Sequence, residues 1–118
     1  DLDALIVGAA PGLGRYFHAG TPKGQPGMRF KMIGYGKLVS DKGLQWPALG
    51  VALQKNYVSV YLKQADWLEP WRGRLGELRM GQGNFSFRAF ADLRTDAVAE
   101  LARQVESHWR RAVGMVGD

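Results

Sequence analysis

The sequence predicts an α+β fold, in which helices pack against an antiparallel β-sheet within a single compact domain covering residues 1–118. Two stretches of strict apolar alternation, separated by a short polar turn, indicate a β-hairpin in the middle of the chain. Apolar residues at helical spacing near both ends indicate flanking helices. With 118 residues, the chain has the length of one domain and can bury a core without disulfides. No internal repeat or linker divides it.

The composition excludes several kinds of site. The chain has no cysteine, which excludes disulfides, thiolate metal ligands and cysteine nucleophiles, and is consistent with a reducing compartment. No apolar run approaches the roughly 20 residues of a membrane-spanning helix. The net charge of +5 favours anionic partners. We therefore expect a cytoplasmic protein that does not enter the membrane.

The first predicted helix lies at the beginning of the chain. Its apolar residues recur at helical spacing and are Leu2, Leu5, Ile6 and Ala9. Pro11 and Gly12 then end the helix. The stretch from His18 to Gly27 is rich in glycine and proline without periodicity, which predicts an exposed loop.

A first strand is predicted from Met28, because Met28, Phe30 and Met32 alternate with basic residues. The apolar phase then shifts by one residue, to Ile33 and Tyr35, beside two glycines. A phase shift next to glycine predicts a β-bulge or a sharp bend. Residues 40–43 predict a turn.

The hairpin is predicted between residues 47 and 63, with its turn at Lys55 and Asn56. Because proline cannot donate to a β-ladder, Pro47 marks the beginning of the first strand. The alternating apolar residues are Leu49, Val51 and Leu53 before the turn and Val58, Val60 and Leu62 after it.

The last third of the chain predicts a short helix, two short strands and a long helix. Asp66 is the predicted N-cap of the short helix, and Glu69 completes a capping box. The strands are predicted around residues 77–80 and 85–90. Thr95 caps the final helix. The residues that this helix turns toward the core are Val98, Leu101, Ala102, Val105, Trp109 and Ala112.

The residue pattern contains no catalytic constellation. The two histidines, His18 and His108, lie in separate predicted elements, and no nucleophile motif or catalytic carboxylate pair is visible. Asp1 and Asp3 are the one close acidic pair at a helix start, where they would complement the helix dipole. We expect a protein that is not an enzyme and that carries no cofactor.

The stretch "RMGQGNFSFR", residues 79–88, offers a candidate anion site. Gly81 and Gly83 lie between Arg79 and Arg88, which suggests either a phosphate-binding loop or a tight turn. The segment leads from one strand into another, so no helix N-terminus is available for a phosphate. We therefore expect the glycines to provide positive φ for a turn, while the two arginines remain candidates for binding an anion.

The hairpin adds aromatic and basic residues to this candidate site. Tyr57, Ser59, Tyr61 and Lys63 share the strand face opposite the apolar one. Aromatic side chains interleaved with basic ones can also bind nucleic acid, which is an alternative function. The full set of candidate binding residues is Arg79, Gly81, Gly83, Arg88, Lys63, Tyr61, Tyr35 and Trp46.

Three short motifs in this order resemble the YdhG-like family, a family of domains of unknown function. They are "MIGYG" (residues 32–36), "WPALGVALQKNYVSVYL" (residues 46–62) and "GQGNFSF" (residues 81–87). The resemblance implies a small bacterial cytoplasmic α+β domain. One branch of the family is described as a frataxin-like iron chaperone that binds iron through acidic residues of its first helix. In this chain Asp1 and Asp3 alone match that pattern, so the resemblance supports the fold more than the iron function.

These observations lead to one principal expectation and two alternatives. The principal expectation is a YdhG-like domain that binds an anionic small molecule or an acidic protein partner without catalysis. The first alternative is an iron chaperone that uses Asp1 and Asp3, in which case iron would be the bound metal. The second alternative is a nucleic-acid-binding module.

Overall fold

The computed structural model describes residues 2–19, 31–39, 45–76 and 78–117, with side chains as far as Val113. Two 3₁₀ turns, Glu69–Trp71 and Phe90–Asp92, accompany the main elements. The helices and strands in chain order are α1 (Leu2–Ala9), β1 (Arg15–His18), β2 (Met32–Val39), β3 (Gln45–Leu53), β4 (Val58–Leu62), α2 (Ala65–Leu68), β5 (Arg79–Met80), β6 (Asn84–Phe87) and α3 (Thr95–Gly117). The predicted α+β fold with an antiparallel sheet is confirmed.

The six strands form one antiparallel sheet in the order β1-β2-β3-β4-β6-β5. Helix α3 packs on β2 and β3 and also contacts α1, while α2 contacts β4. The core therefore lies between the helices and one face of the sheet. Its most deeply buried large side chains include Ile6, Tyr35, Leu49, Phe85, Leu101 and Val105.

The predicted hairpin is confirmed as β3 and β4. Leu53 lies opposite Val58, and the backbone N–H of Gln54 donates to the Tyr57 carbonyl oxygen at 2.9 Å. Pro47 is the third residue of β3, in the part that extends past the end of β4 and pairs with β2. The missing proline N–H is therefore tolerated near the beginning of the strand.

The predicted bulge is replaced by a local distortion at Gly36. The same register joins β2 to β3 on both sides of this residue, with Tyr35 opposite Leu49 and Lys37 opposite Pro47. Neither strand therefore has an extra residue in this pairing. Gly36 instead adopts a φ of 78°, a left-handed backbone conformation that residues other than glycine rarely adopt.

Gly36 also lets the helical layer approach the sheet closely. A Cβ atom on this residue would lie 2.6 Å from Leu13 Cδ2 and 3.0 Å from Trp109 Cδ1. The Trp109 indole N–H donates to the Lys37 carbonyl oxygen at 3.1 Å, which attaches α3 to β2 at this point. The glycine is therefore required both by its backbone angle and by its neighbours.

Strand β1 was not predicted. The sequence analysis assigned His18 to the beginning of an exposed loop, but His18 is the last residue of β1 and is buried. A strand of four residues is too short to establish an alternation, and pairing with β2 determines its conformation. The rest of the predicted loop, Met28 and Phe30 at the predicted strand start, and the turn at residues 40–43 lie outside the described residues.

The predicted capping box at α2 is wrong. Gln64 occupies the N-cap position without a side-chain hydrogen bond, and Asp66 is the second residue of the helix. Helix α2 is a single turn that continues as a 3₁₀ turn over Glu69–Trp71. Thr95 is the first residue of helix α3 and not its predicted N-cap, because the Arg94 carbonyl oxygen accepts from the Val98 N–H at 3.0 Å and Arg94 therefore occupies the N-cap position. Ion pairs form along the helix between Glu100 and Arg103 and between Glu106 and Arg110. In the described part of the chain, no helix has the length and apolarity needed to span a bilayer.

We expect the substitution Gly36→Ala to lower the free energy of unfolding by about 2–4 kcal/mol, because it adds a strained φ to an overpacked contact with Leu13 and Trp109. Urea denaturation followed by tryptophan fluorescence would measure the loss. Gly8→Ala is the matched control, since a Cβ atom there meets nothing within 4 Å on a helix surface. The control should stabilise the protein slightly. Equal effects of the two substitutions would contradict this role of Gly36.

Candidate functional site

The candidate site is an open cleft of about 470 Å³ on the sheet face opposite the helical core. Because side chains alternate along a strand, the residues between the core positions of β4 and β6 point to this second face. We call this surface the arginine cleft. The residues that line it are Asn56, Tyr57, Ser59, Tyr61, Arg79, Asn84, Ser86, Phe87 and Arg88.

Two serines form the floor of the arginine cleft. Ser59 of β4 lies directly opposite Ser86 of β6, and their hydroxyl oxygens are 2.9 Å apart in a hydrogen bond. Both side chains are buried. Because serine side chains are short, an open space remains above this pair, and the longer side chains around it form the walls of the cleft.

The cationic groups of the arginine cleft come from β5 and from the residue that follows β6. Arg79 of β5 lies opposite Ser86, and Arg88 follows β6 two residues after Ser86. Both arginines line the same cleft. Both residues are exposed. An anion located between these side chains could accept hydrogen bonds from both guanidinium groups.

No acidic side chain compensates this charge among the described residues. None of the described residues that line the arginine cleft is a carboxylate. Neither Arg79 nor Arg88 forms an ion pair with a described carboxylate, whereas Arg15, Arg72, Arg103 and Arg110 each do. The described part of the cleft therefore carries a net positive charge.

Three of the candidate binding residues from the sequence line this cleft, namely Arg79, Arg88 and Tyr61. Lys63 and Trp46 lie outside it and contact each other, with the Lys63 ammonium 4.6 Å from the centre of the Trp46 ring. This is a cation–π contact within the protein. Lys63 and Trp46 therefore bind each other, whereas the nucleic-acid hypothesis assigned both side chains to contacts with a bound strand.

The expected role of Gly81 and Gly83 in supplying positive φ is wrong. Neither residue has a positive φ, although both lie in the turn between β5 and β6 as predicted. A Cβ atom on Gly81 would lie too close to the amide end of the Asn84 side chain, which would have to turn away to admit it. Gly83 has ordinary space around it, and its carbonyl oxygen accepts from the Leu62 backbone N–H at 2.9 Å.

The glycine turn presents carbonyl groups, which do not suit a phosphate. Arg72 donates from Nη2 to the carbonyl oxygens of Gly81, at 2.9 Å, and Gln82, at 3.1 Å. The Gly81 N–H donates to the Asn84 carbonyl oxygen at 2.7 Å. Glu69 holds the same arginine through an ion pair at 2.9 Å. The turn is therefore fixed by protein groups, and the anion-binding potential lies in the arginine side chains beside it.

Tyr35, another candidate from the sequence, lies on the opposite face of the sheet. Its hydroxyl donates to Asp3 Oδ1 at 2.6 Å, and Arg15 donates to Asp3 Oδ2 at 2.5 Å. Burial and the nearby Asp3 carboxylate both raise the pKa of Tyr35. Both oxygens of Asp3 are thus engaged in attaching α1 to the sheet. Asp1, its predicted partner in metal binding, lies outside the described residues, and the described part of the chain contains no cluster of three metal-ligating side chains.

Two further aromatic residues carry buried polar atoms without a hydrogen-bond partner, the Tyr16 hydroxyl and the Trp46 indole nitrogen. Burial raises the pKa of Tyr16 to about 12. The Lys37 ammonium lies 5.0 Å from the centre of the Tyr16 ring. Unpartnered buried groups cost stability, and each ring here is covered by a lysine that contributes a compensating attraction.

His108 stacks on Trp67, with ring centres 4.8 Å apart and ring planes 4° apart. Its Nδ1 atom lies 2.8 Å from Arg111 Nη2. Burial against Trp67 and the adjacent Arg111 lower the pKa of His108. The ring therefore joins α2 to α3 as a packing element and lies in a different part of the fold from His18.

Six residues of the arginine cleft were not among the binding candidates from the sequence, namely Asn56, Tyr57, Ser59, Asn84, Ser86 and Phe87, although Tyr57 and Ser59 were placed on the correct strand face. Two of them, Asn84 and Ser86, occupy alternating positions between Gly83 and Arg88 in the quoted motif. That alternation was available as a signal. The sequence could not reveal the pairing of β6 with β4, because the two segments are distant along the chain. This pairing brings the residues of both strands together on the face that carries the arginine cleft.

Comparison of the chain with protein-family models, with curated proteins and with solved structures finds no significant match. The description of the protein therefore depends on its fold, an α+β domain with a six-stranded antiparallel sheet, and on the arginine cleft.

We expect the serine floor to show strong coupling in a double-mutant cycle. Ser59→Ala or Ser86→Ala alone leaves the other buried hydroxyl without its partner and should lower the free energy of unfolding by about 1–3 kcal/mol. The double substitution removes both polar groups and should cost less than the two single losses together. Urea denaturation measures all four variants. Additive losses would show that the hydroxyl pair does not act as a unit.

We expect stability to fall at alkaline pH because the folded state raises the pKa values of Tyr16 and Tyr35. The neutral phenols contribute fully below the unfolded-state pKa of about 10, and this contribution is lost as the pH rises toward the folded-state values. Tyr35→Phe should lower stability at pH 7, since Asp3 loses a donor, and should weaken the decline above pH 10 by about 1.4 kcal/mol per pH unit. Denaturation midpoints between pH 7 and pH 11 test this. An unchanged alkaline decline in the variant would contradict it.

Proposed function

We propose that this protein binds an anionic small molecule in the arginine cleft and does not transform it. The observation that carries the proposal is the pair of guanidinium groups, Arg79 on β5 and Arg88 directly after β6, beside a polar floor without a described carboxylate. This arrangement supports the expectation of an anionic ligand, which was drawn from the net positive charge and the two arginines. The resemblance to the YdhG-like family adds the proposal that the protein is a small bacterial cytoplasmic domain.

The geometry favours a compact anion with several oxygen atoms. Charge-assisted hydrogen bonds from arginine to phosphate or carboxylate are short and directional, and two such residues can hold one anion from two sides. Asn84 and the serine hydroxyls would add neutral donors near the floor. Tyr57, which is 41% exposed, would cover one side of the ligand.

The charge of the cleft favours this function over iron delivery. Iron would require oxygen ligands, whereas the described cleft contributes two cations. Both oxygens of Asp3 are held by Tyr35 and Arg15, so metal binding there would have to break two hydrogen bonds. Iron delivery would then depend on rearrangement of the contact between α1 and the sheet.

Nucleic-acid binding is the second candidate, and one observation favours it. Tyr57 and Tyr61 line the same cleft as Arg79, as in a surface that stacks bases and contacts phosphates. The contact between Lys63 and Trp46 removes two residues from such a surface. The anionic small molecule therefore explains more of the cleft.

We expect phenyl phosphate to bind the protein and the variants Arg79→Ala and Arg88→Ala to bind it roughly 10- to 100-fold more weakly, because each variant loses charged hydrogen bonds. Isothermal titration at fixed salt measures the affinity. Arg94→Ala is the matched control, since Arg94 is also exposed and does not line the cleft. Wild-type affinity in both cleft variants would contradict the proposal.

Two further titrations separate the alternatives. Ferrous iron that binds at a ratio near one and shifts the resonances of Asp3 would favour the chaperone function over anion binding. A single-stranded oligonucleotide that binds much more tightly than phenyl phosphate, with an affinity that falls steeply as salt is added, would favour the nucleic-acid function.

A further inference from the structure

A second cavity lies on the core face of the sheet, at the same end as Arg88. It has a volume of about 320 Å³ and is lined mainly by apolar side chains. We call it the apolar groove. Its lining includes Ile33, Leu53, Val58, Phe87, Arg88 and Phe90.

The walls of the apolar groove are unusually exposed for apolar residues. Leu53 is 80% exposed, Phe90 39% and Ile33 36%. Leu53 lies opposite Val58, which in turn lies opposite Phe87, so three neighbouring strands contribute one apolar row. The row runs from the exposed Leu53 through the half-buried Val58 to the buried Phe87, so it forms the floor of a groove that opens to solvent at Leu53, and an exposed apolar groove of this kind commonly marks a binding site.

The apolar groove and the arginine cleft share two residues, Phe87 and Arg88. These are the last residue of β6 and the residue that follows it. The two cavities therefore reach the end of the same strand from opposite faces of the sheet. A ligand that passes around this strand end could contact the cation on one side and apolar walls on the other.

The charges around the apolar groove favour an anion at this junction. Asp3 is the acidic residue of the lining, and its carboxylate is already neutralised by Arg15 and hydrogen-bonded by Tyr35. Arg88 forms no ion pair with a described carboxylate. The local charge that a ligand meets at the junction is therefore positive.

We propose that the ligand is a free amphiphilic anion, namely a straight alkyl chain of medium length with a terminal carboxylate. The carboxylate accepts from Arg88 and Arg79, and the chain lies in the apolar groove between Leu53 and Phe90. The head-group half of this proposal rests on the anion-binding function proposed above, and the alkyl half rests on the groove. Burial of methylene groups supplies affinity that the exposed arginines alone do not.

The test is a chain-length series of acetate, hexanoate, octanoate and decanoate below their micellar concentrations, with phenyl phosphate as a head-group probe. Affinities are measured by chemical-shift titration of the wild-type protein. A fully buried methylene is worth about fourfold in affinity, so we expect two- to fourfold for each methylene that enters this open groove. Octanol should bind at least tenfold more weakly than octanoate, since it lacks the charged contact with Arg88.

Three variants locate the two halves of the ligand. Leu53→Gln and Phe90→Ala change exposed side chains and should flatten the chain-length dependence while leaving phenyl phosphate binding unchanged. Arg88→Ala should weaken every member of the series by a similar factor. Val113→Ala, an exposed apolar residue of α3 outside the groove, is the control and should behave as the wild type.

The outcomes separate this proposal from the one on which it rests. Phenyl phosphate binding without chain-length dependence would overturn the amphiphile and leave the anion site in place. Loss of phenyl phosphate binding in the arginine variants together with failure of every carboxylate to bind would also overturn it. The proposal would be overturned if the protein bound octanol as tightly as octanoate, or if it bound phospholipid vesicles and none of the free carboxylates. It would also be overturned if the protein formed a dimer that Leu53→Gln abolishes, because a second copy of the chain would then occupy the groove.

Discussion

The pairing of β4 with β6 is the interaction on which the rest of this molecule depends. It joins the central hairpin to the C-terminal third of the chain, and its four cross-strand pairs contribute to both sides of the sheet. Val60 and Phe85 face the helices and are almost completely buried, whereas Ser59 and Ser86 form a hydrogen bond on the other face. One ladder of backbone hydrogen bonds therefore positions the core and the arginine cleft together, and a shift of register by one residue would exchange the two.

The sequence predicts the parts of this fold that are determined locally. The hairpin of β3 and β4 and the long helix α3 have a complete periodic signal within one segment, and both form as expected. Strand β1 has four residues and forms by pairing with β2, so its own composition could not reveal it. The same reason explains why Arg79, Arg88 and Tyr61 could be nominated one by one, while their assembly around Ser59 and Ser86 required a contact between residues 27 positions apart.

The glycines show that a sequence motif does not reveal the structural reason for each of its residues. A glycine in a motif indicates that a side chain is disfavoured, but the cause can be a backbone angle, a close neighbour or both. At Gly36 both causes act, whereas at Gly81 φ is not positive and the close neighbour is the amide end of the Asn84 side chain, which could turn away. The distinction matters for the site, because a turn without left-handed residues, with its carbonyls bound to Arg72, cannot act as a phosphate loop.

The short outer strand β5 has a consequence for how this protein behaves at high concentration. Exposed sheet edges recruit strands from other molecules, and proteins commonly limit this by making the edge short and placing charge on it. Strand β5 has two residues, one of them Arg79, and Arg72 holds the adjoining turn against the 3₁₀ segment. Arg79, one of the two arginines of the arginine cleft, therefore also places a charge on this margin of the sheet, so removing it for ligand studies would weaken a safeguard against intermolecular β-pairing and aggregation.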